Sequence, residues 1–320
     1  MRTAFFRALM EEAERDERIH LVVGDLGFGV VEPFAERFPR RFLNAGVAEQ
    51  NMTALAAGMA LTGKIVFTYS IANFPTLRCL EQVRNDVCYH KANVKIVAVG
   101  GGFAYGALGM THHAVEDLAI LRALPEMMVV APGDPVETAA AIHAIATRPG
   151  PCYLRLGRAG EPVVHAAPVK FAIGKAIRLR EGRDITIIST GGMLATAMEV
   201  ASALMERGLE TRVLSMHTLK PLDTESILAA MRQTRALITL EEHSIIGGLG
   251  SAVAEVLSES GEITIPFKRL GIGTSFTTEV GSQEFLREKH GLSVDGVLRS
   301  VERLVAASEA SPASKFAAGQ

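Results

Sequence analysis

A chain of 320 residues exceeds a typical single domain, so two domains, each with its own core, are expected. A composition of 48% hydrophobic and 21% charged residues is that of a globular protein and excludes disorder for most of the length. A net charge of −2 without any Lys/Arg block leaves no footprint for nucleic acid, and the most apolar runs, 53–61 and 94–98, are too short to span a bilayer.

The three cysteines, Cys79, Cys88 and Cys152, are odd in number and unclustered, which suits a reducing compartment and matches no metal-ligand spacing. The first residues carry acids too early for a secretory signal, so the expectation is a cytoplasmic protein.

In chain order, the apolar period predicts a helix over 3–18 and a nearly all-apolar strand over 19–23 that ends in Gly24-Asp25. Continuous apolar runs of this kind suit parallel strands covered on both faces. The alternation then continues: strand 41–44, helix 49–62, strand 64–68, helix 75–90, strand 94–99, helix 114–124, strand 127–131, helix 134–147, strand 152–156. Pro162, Pro168, Gly174 and Gly182 mark a linker with a hairpin-like crossing. A second series follows, with strands at 184–190, 211–216, 236–240 and 264–270, and helices at 194–207, 223–233, 250–259 and 294–307. The fold class expected is α/β, two doubly wound domains over 1–165 and 184–307, with a linker at 166–183 and a frayed Ala/Ser-rich tail at 308–320.

Glu49 opens the helix that follows the Gly46 turn, and Met52, Leu55, Ala56 and Met59 give that helix one apolar face. An acid in a first helical turn is explained most simply by free backbone N–H groups and the helix dipole. The chemical alternative is an acid in a cleft, bonded to a cofactor. The loop after strand 94–99 runs from Gly100 to the pair His112-His113 and leaves the same edge of the sheet, beyond the strand carboxyl ends where open α/β sheets bind ligands. Adjacent loop histidines are commonly without a duty, but this shared edge favours a functional one. Glu116 and Asp117 point about 100° apart on a helix and read as first-turn dipole partners. Arg155, Arg158 and Arg2 are candidate phosphate forks, although a single arginine is more often a surface charge. The spacing of Gly24-Asp-Leu-Gly27-Phe-Gly29 is wrong for a dinucleotide fingerprint, and Gly248-Leu-Gly250 lacks the third glycine.

Several segments occur in one order: Asn44-Ala-Gly-Val-Ala-Glu49-Gln-Asn-Met, Phe74 through Arg78-Cys-Leu-Glu-Gln-Val, Gly109-Met-Thr-His112, Glu116-Asp117-Leu, Leu219-Lys-Pro-Leu-Asp223 and Glu241-Glu-His-Ser-Ile-Ile-Gly-Gly-Leu-Gly250. Together they resemble the C-terminal half of the transketolase family over about residues 1–305. The resemblance implies a pyrimidine-binding domain followed by a transketolase C-terminal domain, working with thiamine diphosphate. It implies that Glu49 hydrogen-bonds the cofactor's aminopyrimidine and activates it, since burial favours a carboxyl that shares a proton with a ring nitrogen. It further implies that Phe74 stacks on the pyrimidine, with one residue of alignment slack, and that His112 reaches the substrate and reaction centre. Arg158, and less directly Arg2, match arginines that hold a sugar phosphate. Arg78 reads mainly as structural, although related synthases use an arginine there next to the cofactor.

The family's Gly-Asp-Gly run, which holds the metal and diphosphate, occurs nowhere in these residues. The resemblance therefore implies one subunit of a split enzyme, with Mg²⁺ or Ca²⁺ held by an N-terminal diphosphate-binding partner subunit and self-association within an α2β2 assembly. Two positions depart from the family: Gly100 stands where many transketolases have a histidine, and Leu108 where they have an aspartate that reads a substrate hydroxyl. The expected reaction is transfer of a two-carbon ketol unit between phosphorylated sugars. The rivals are a 2-oxoacid dehydrogenase beta subunit, which shares the architecture, and a non-catalytic scaffold subunit.

Overall fold

The computed structural model describes residues 1–262 and 265–310. The first domain is built from α1 (Arg2–Arg15), β1 (Ile19–Val23), α2 (Glu32–Arg37), β2 (Phe42–Asn44), α3 (Glu49–Leu61), β3 (Ile65–Ile71), α4 (Leu80–Gln82), β4 (Val94–Val99), α5 (Asp117–Ala123), β5 (Met128–Val130), α6 (Pro135–Ala146) and β6 (Cys152–Leu156). The second comprises β7 (Ile177–Arg180), β8 (Ile185–Ser189), α7 (Leu194–Glu206), β9 (Thr211–Ser215), β10 (Thr218–Lys220), α8 (Thr224–Gln233), β11 (Ala236–Ser244), α9 (Leu249–Glu259), β12 (Phe267–Ile272), α10 (Gln283–Lys289) and α11 (Val294–Ala310). The expected strand 264–270 begins at Thr264, outside the described residues, as does most of the expected tail.

The first sheet has the order β10-β5-β6-β4-β3-β1-β2, and every pairing in it is parallel except that of β10 with β5. Its central strands β3 and β4 are buried along nearly their whole length, as a run of Val and Ile with little alternation requires. The second sheet has the order β12-β11-β8-β9-β7, parallel except at the β7 edge. Both are α/β domains with parallel-dominated sheets. Aromatic packing anchors α1 on the first sheet, where the Phe5 and Tyr69 rings stack with centroids 5.7 Å apart.

Several details differ from the expected elements. The expected helix 75–90 changes its winding twice, from a 3-10 turn at Leu77–Cys79 through α4 to a π-helical stretch at Val83–Cys88. The expected helix 114–124 starts only at Asp117, because Ala114 is taken by a two-way backbone bridge to Gly102 that closes the base of the glycine-rich loop. The stretch read as linker contains β7, which pairs antiparallel with β9. β10, which the apolar pattern did not reveal, leaves the second domain to add an edge strand to the first sheet. The short helices α2 and α10 carry too few residues for a helical period to register.

A buried polar joint fixes one domain against the other. Arg155 on β6 is an inner residue here, 5% exposed, and it donates to Asp117 Oδ2 at 2.8 Å and to the carbonyls of Ala114 and Glu242 at 2.8 and 3.0 Å. Asp117 also accepts from the Tyr153 hydroxyl. The expectation that Asp117 only complements a helix dipole is thereby corrected, and so is that of Arg155 as a phosphate fork. Glu242 takes the amide of Phe103 at 2.6 Å and the side chains of Gln283 and Arg287. Glu241 caps α9 through the amides of Leu249 and Gly250, both at 2.7 Å, and burial lifts its pKa to about 7.

Candidate active site

Glu49 lies at the carboxyl ends of β1 and β3, where the strand order turns from β2 on one side of β1 to β3 on the other. α3 buries Glu49, Met52, Thr53, Ala56, Ala57 and Ala60, a stripe rotated from the expected one so that the acid is inside and Leu55 outside. Glu49 is 1% exposed. Its carboxylate does not cap its own helix. It accepts from the Ser70 hydroxyl at 3.3 Å and from Arg78 Nη1 at 2.6 Å. Gly24, at the end of β1, leaves room beside it, since a Cβ there would stand 3.4 Å from Glu49 Cγ and 3.3 Å from Ser70 Oγ.

From the acid a continuous line of side chains runs along the sheet edge. The Arg78 guanidinium lies over the Phe74 ring, its Cζ 4.5 Å from the centroid. Phe74 meets His112 edge to face at 5.3 Å, and His112 meets Tyr105 at 6.4 Å. Arg158 stands 5.9 Å from the Tyr105 centroid, and the Arg158 carbonyl accepts the Arg2 amide. Phe74, Arg78, Thr111 and His113 on the first domain and Ser244 and Phe276 on the second line an open cleft of about 740 Å³.

The two histidines have separate duties. His113 is buried, with Nε2 3.1 Å from the Gly106 carbonyl and its ring against Phe103. His112 is partly open, its Nδ1 3.0 Å from the Thr111 hydroxyl, and burial together with neighbouring His113 pushes its pKa below the ordinary histidine value. It is therefore neutral near pH 7 and can accept a proton or share one. Asn73, which the sequence reading passed over, donates to the carbonyls of Thr111 and His113 at 3.0 Å each and so sets the height of the His112 loop. The only signal for it was its place beside Phe74.

At the far end several donors have no partner. Arg2 Nε and the Tyr69 hydroxyl are buried without a hydrogen bond. The Arg158 guanidinium and the Tyr105 hydroxyl make none among the described residues, and the charges of Arg2 and Arg158 both act on Tyr105. Unpaired donors gathered at one place suit an oxyanion. The site thus brings together all six predicted residues: Glu49, Arg78, Phe74 and His112 at one end, Arg158 and Arg2 at the other.

The chain's similarities agree with this geometry. Residues 1–161 match the transketolase pyrimidine-binding domain and residues 174–297 the transketolase C-terminal domain. The chain is 39% identical to an apulose-4-phosphate transketolase subunit from Phocaeicola vulgatus over 306 residues, covering 95% of this chain and 97% of that one. It is also 39% identical, over 305 residues, to the 6-deoxy-6-sulfo-D-fructose transketolase subunit SqwH of a Clostridium species, covering 95% and 94%. A solved split-gene transketolase, described as an inactive β4 tetramer, superposes with a TM-score of 0.85 at 42% identity, covering 95% of this chain and 97% of that one. The chain belongs to the thiamine-dependent transketolase family, as a subunit of the split type that carries the pyrimidine-binding and C-terminal domains.

Proposed function

We propose that this chain is the C-terminal-half subunit of a split transketolase that transfers a two-carbon ketol unit between phosphorylated sugars, active only with a diphosphate-binding partner subunit. The observation that carries the reading is the line from buried Glu49 through Phe74 and His112 to the unpaired Arg2 and Arg158. One end suits an aminopyrimidine, the other an anionic sugar terminus, and a partly desolvated neutral histidine stands between them.

The residues fit thiamine diphosphate at its pyrimidine end. Glu49 offers a buried carboxylate, Phe74 a half-buried aromatic face, and Gly24 a cradle without a side chain. When bound, thiamine diphosphate supplies a carbon nucleophile and an electron sink for cleaving a ketose. Glu49 then holds a proton against the ring nitrogen, Phe74 orients the ring, and His112 exchanges a proton with a substrate oxygen. Arg2 and Arg158 hold the phosphate and fix the sugar's register. Among the described residues no group of three or more His, Cys, Asp or Glu is placed to hold a metal. Mg²⁺ or Ca²⁺ and the diphosphate are assigned to the partner, in an α2β2 assembly. Exposed Phe28 and Val47, on the loops at the same strand ends as Glu49, offer that partner an apolar landing.

Leu108, exposed at the mouth, offers no hydrogen bond to a substrate hydroxyl. This favours a specialised sugar over the common pentose phosphates, and the names of the two relatives make apulose 4-phosphate and 6-deoxy-6-sulfofructose the first donors to try. The test is reconstitution with the partner and assay of ketose donors against pyruvate with an artificial oxidant. Turnover of pyruvate alone would assign the chain to the 2-oxoacid dehydrogenases. No turnover of any donor, with thiamine diphosphate bound, would make it a scaffold.

A further inference from the structure

We infer that Tyr105 is a specificity-determining residue of this site, its ring forming the channel wall at position 100 and its hydroxyl donating to the terminal phosphate of the sugar. The inference rests on the reading of the site as a sugar-phosphate channel, and it deepens that reading by adding a third donor to Arg2 and Arg158.

The ring's position is argued from Gly100. This residue has φ +90°, and a Cβ on it would stand 2.1 Å from Tyr105 Cε2 and 2.3 Å from Cδ2. The room that a side chain at position 100 would use is therefore filled by an aromatic ring five residues later. That ring spans the gap between His112, 6.4 Å away, and Arg158, 5.9 Å away. The missing side chain at position 100 and the ring at position 105 therefore go together.

The hydroxyl's role is argued from its surroundings. It has no hydrogen-bond partner among the described residues, and it feels the positive charges of Arg2 and Arg158 with Glu161 opposing them. Burial holds it protonated well past neutral pH, so it faces the two cations as a donor. The backbone that carries it is fixed. Leu108 N donates to the Tyr105 carbonyl at 2.9 Å, and the adjoining Gly106 packs so closely on the second domain that a Cβ there would lie 2.6 Å from Leu286 and 2.7 Å from the Gly281 carbonyl. Two arginines hold any anion by charge, whereas a hydroxyl on a fixed ring adds a donor at one distance and direction, which rewards a phosphate of the right reach.

The test uses the enzyme reconstituted with its partner subunit, and separately the full chain alone. In the enzyme, Tyr105→Phe is expected to raise KM for the phosphorylated ketose that the wild type turns over, apulose 4-phosphate being the first tried, about tenfold with kcat within about twofold, and to raise KM for hydroxypyruvate, which carries no phosphate, by less than about twofold. Gly100→Ala, whose methyl would displace the ring, should reproduce the KM effect, and the double variant should add little to either. Equal losses on both donors, or a fall in kcat alone, would overturn the inference. In the chain alone, calorimetric titration with inorganic phosphate needs no turnover: Tyr105→Phe should weaken binding about tenfold and Arg158→Gln more. Phosphate binding that is undiminished in Tyr105→Phe, or absent from the wild type, also overturns it. The reading of the site as a transketolase fails separately, when the wild-type enzyme turns over neither donor while the chain still binds phosphate.

Discussion

Arg78 Nη1 donates to Oε2 of Glu49 at 2.6 Å while the same guanidinium lies over Phe74, its Cζ 4.5 Å from the ring centroid. A cation with N–H donors is thus held between the acid and an aromatic ring, the same two groups that the proposed function assigns to an aminopyrimidine. In the chain by itself, Arg78 compensates a carboxylate that is almost wholly out of water. Arg78→Ala is expected to destabilise the isolated chain by about 1–3 kcal/mol in urea unfolding, less than for a fully buried pair because Arg78 is half exposed. The loss should nearly vanish in a Glu49→Ala background. A loss of equal size in both backgrounds would mean that the pair contributes nothing.

Glu49→Gln keeps the shape and the burial of the side chain and removes its capacity to take a proton. The reconstituted enzyme should lose at least about a hundredfold in kcat, within the range of a general acid–base contribution. Its Tm should stay close to wild type, since α3 is held by Met52, Ala56 and Ala60. Intact activity would remove Glu49 from the chemistry.

Asp117 neutralises Arg155 inside the domain joint. Asp117→Ala leaves a buried guanidinium without its counter-charge, and a cost of about 3–5 kcal/mol is expected in denaturant unfolding. Because Arg155 also holds the carbonyls of Ala114 and Glu242, the His112 loop should loosen with it. Loss of stability without any loss of activity would separate the joint from the site.

His165 gives the chain a pH-dependent clasp. Its Nε2 lies 2.8 Å from Glu137 Oε1, and this bond raises the imidazole's pKa against the opposing effect of burial. A group with a raised folded pKa contributes stability that is full below its unfolded value, near 6.5, and is lost as pH rises through the folded one. His165→Gln should therefore lower Tm more at pH 6 than at pH 9. An equal drop at both would show that the imidazole acts without its charge.

Much of the fold was legible because parallel strands covered on both faces are written as continuous apolar runs. The strand expected at 152–156 is β6, and that at 94–99 is β4. The winding of 75–90 was not legible, since its 3-10, α and π pieces are only 3, 3 and 6 residues long, too short for their different periods to register. Yet that winding sets Arg78 against Glu49. β10 is a three-residue piece of the second series that pairs with β5 of the first sheet, and no local pattern marks a pairing between domains.

By itself the sequence singled out the candidates for the chemistry, because an acid, an aromatic, a histidine and two arginines were spelled out in fixed segments. Its family resemblance also favoured His112 over His113 and Arg158 over Arg155, without saying what surrounds each of them. What sets each pair apart is burial and partners contributed by distant parts of the chain, as when the Glu242 carbonyl helps take Arg155 into the joint while Arg158 stays without a hydrogen bond beside Tyr105. Tertiary packing decided those surroundings, because burial and hydrogen-bond partners come from elements far apart in the chain, and an arginine can serve as a ligand fork only where the fold leaves its donors unsatisfied.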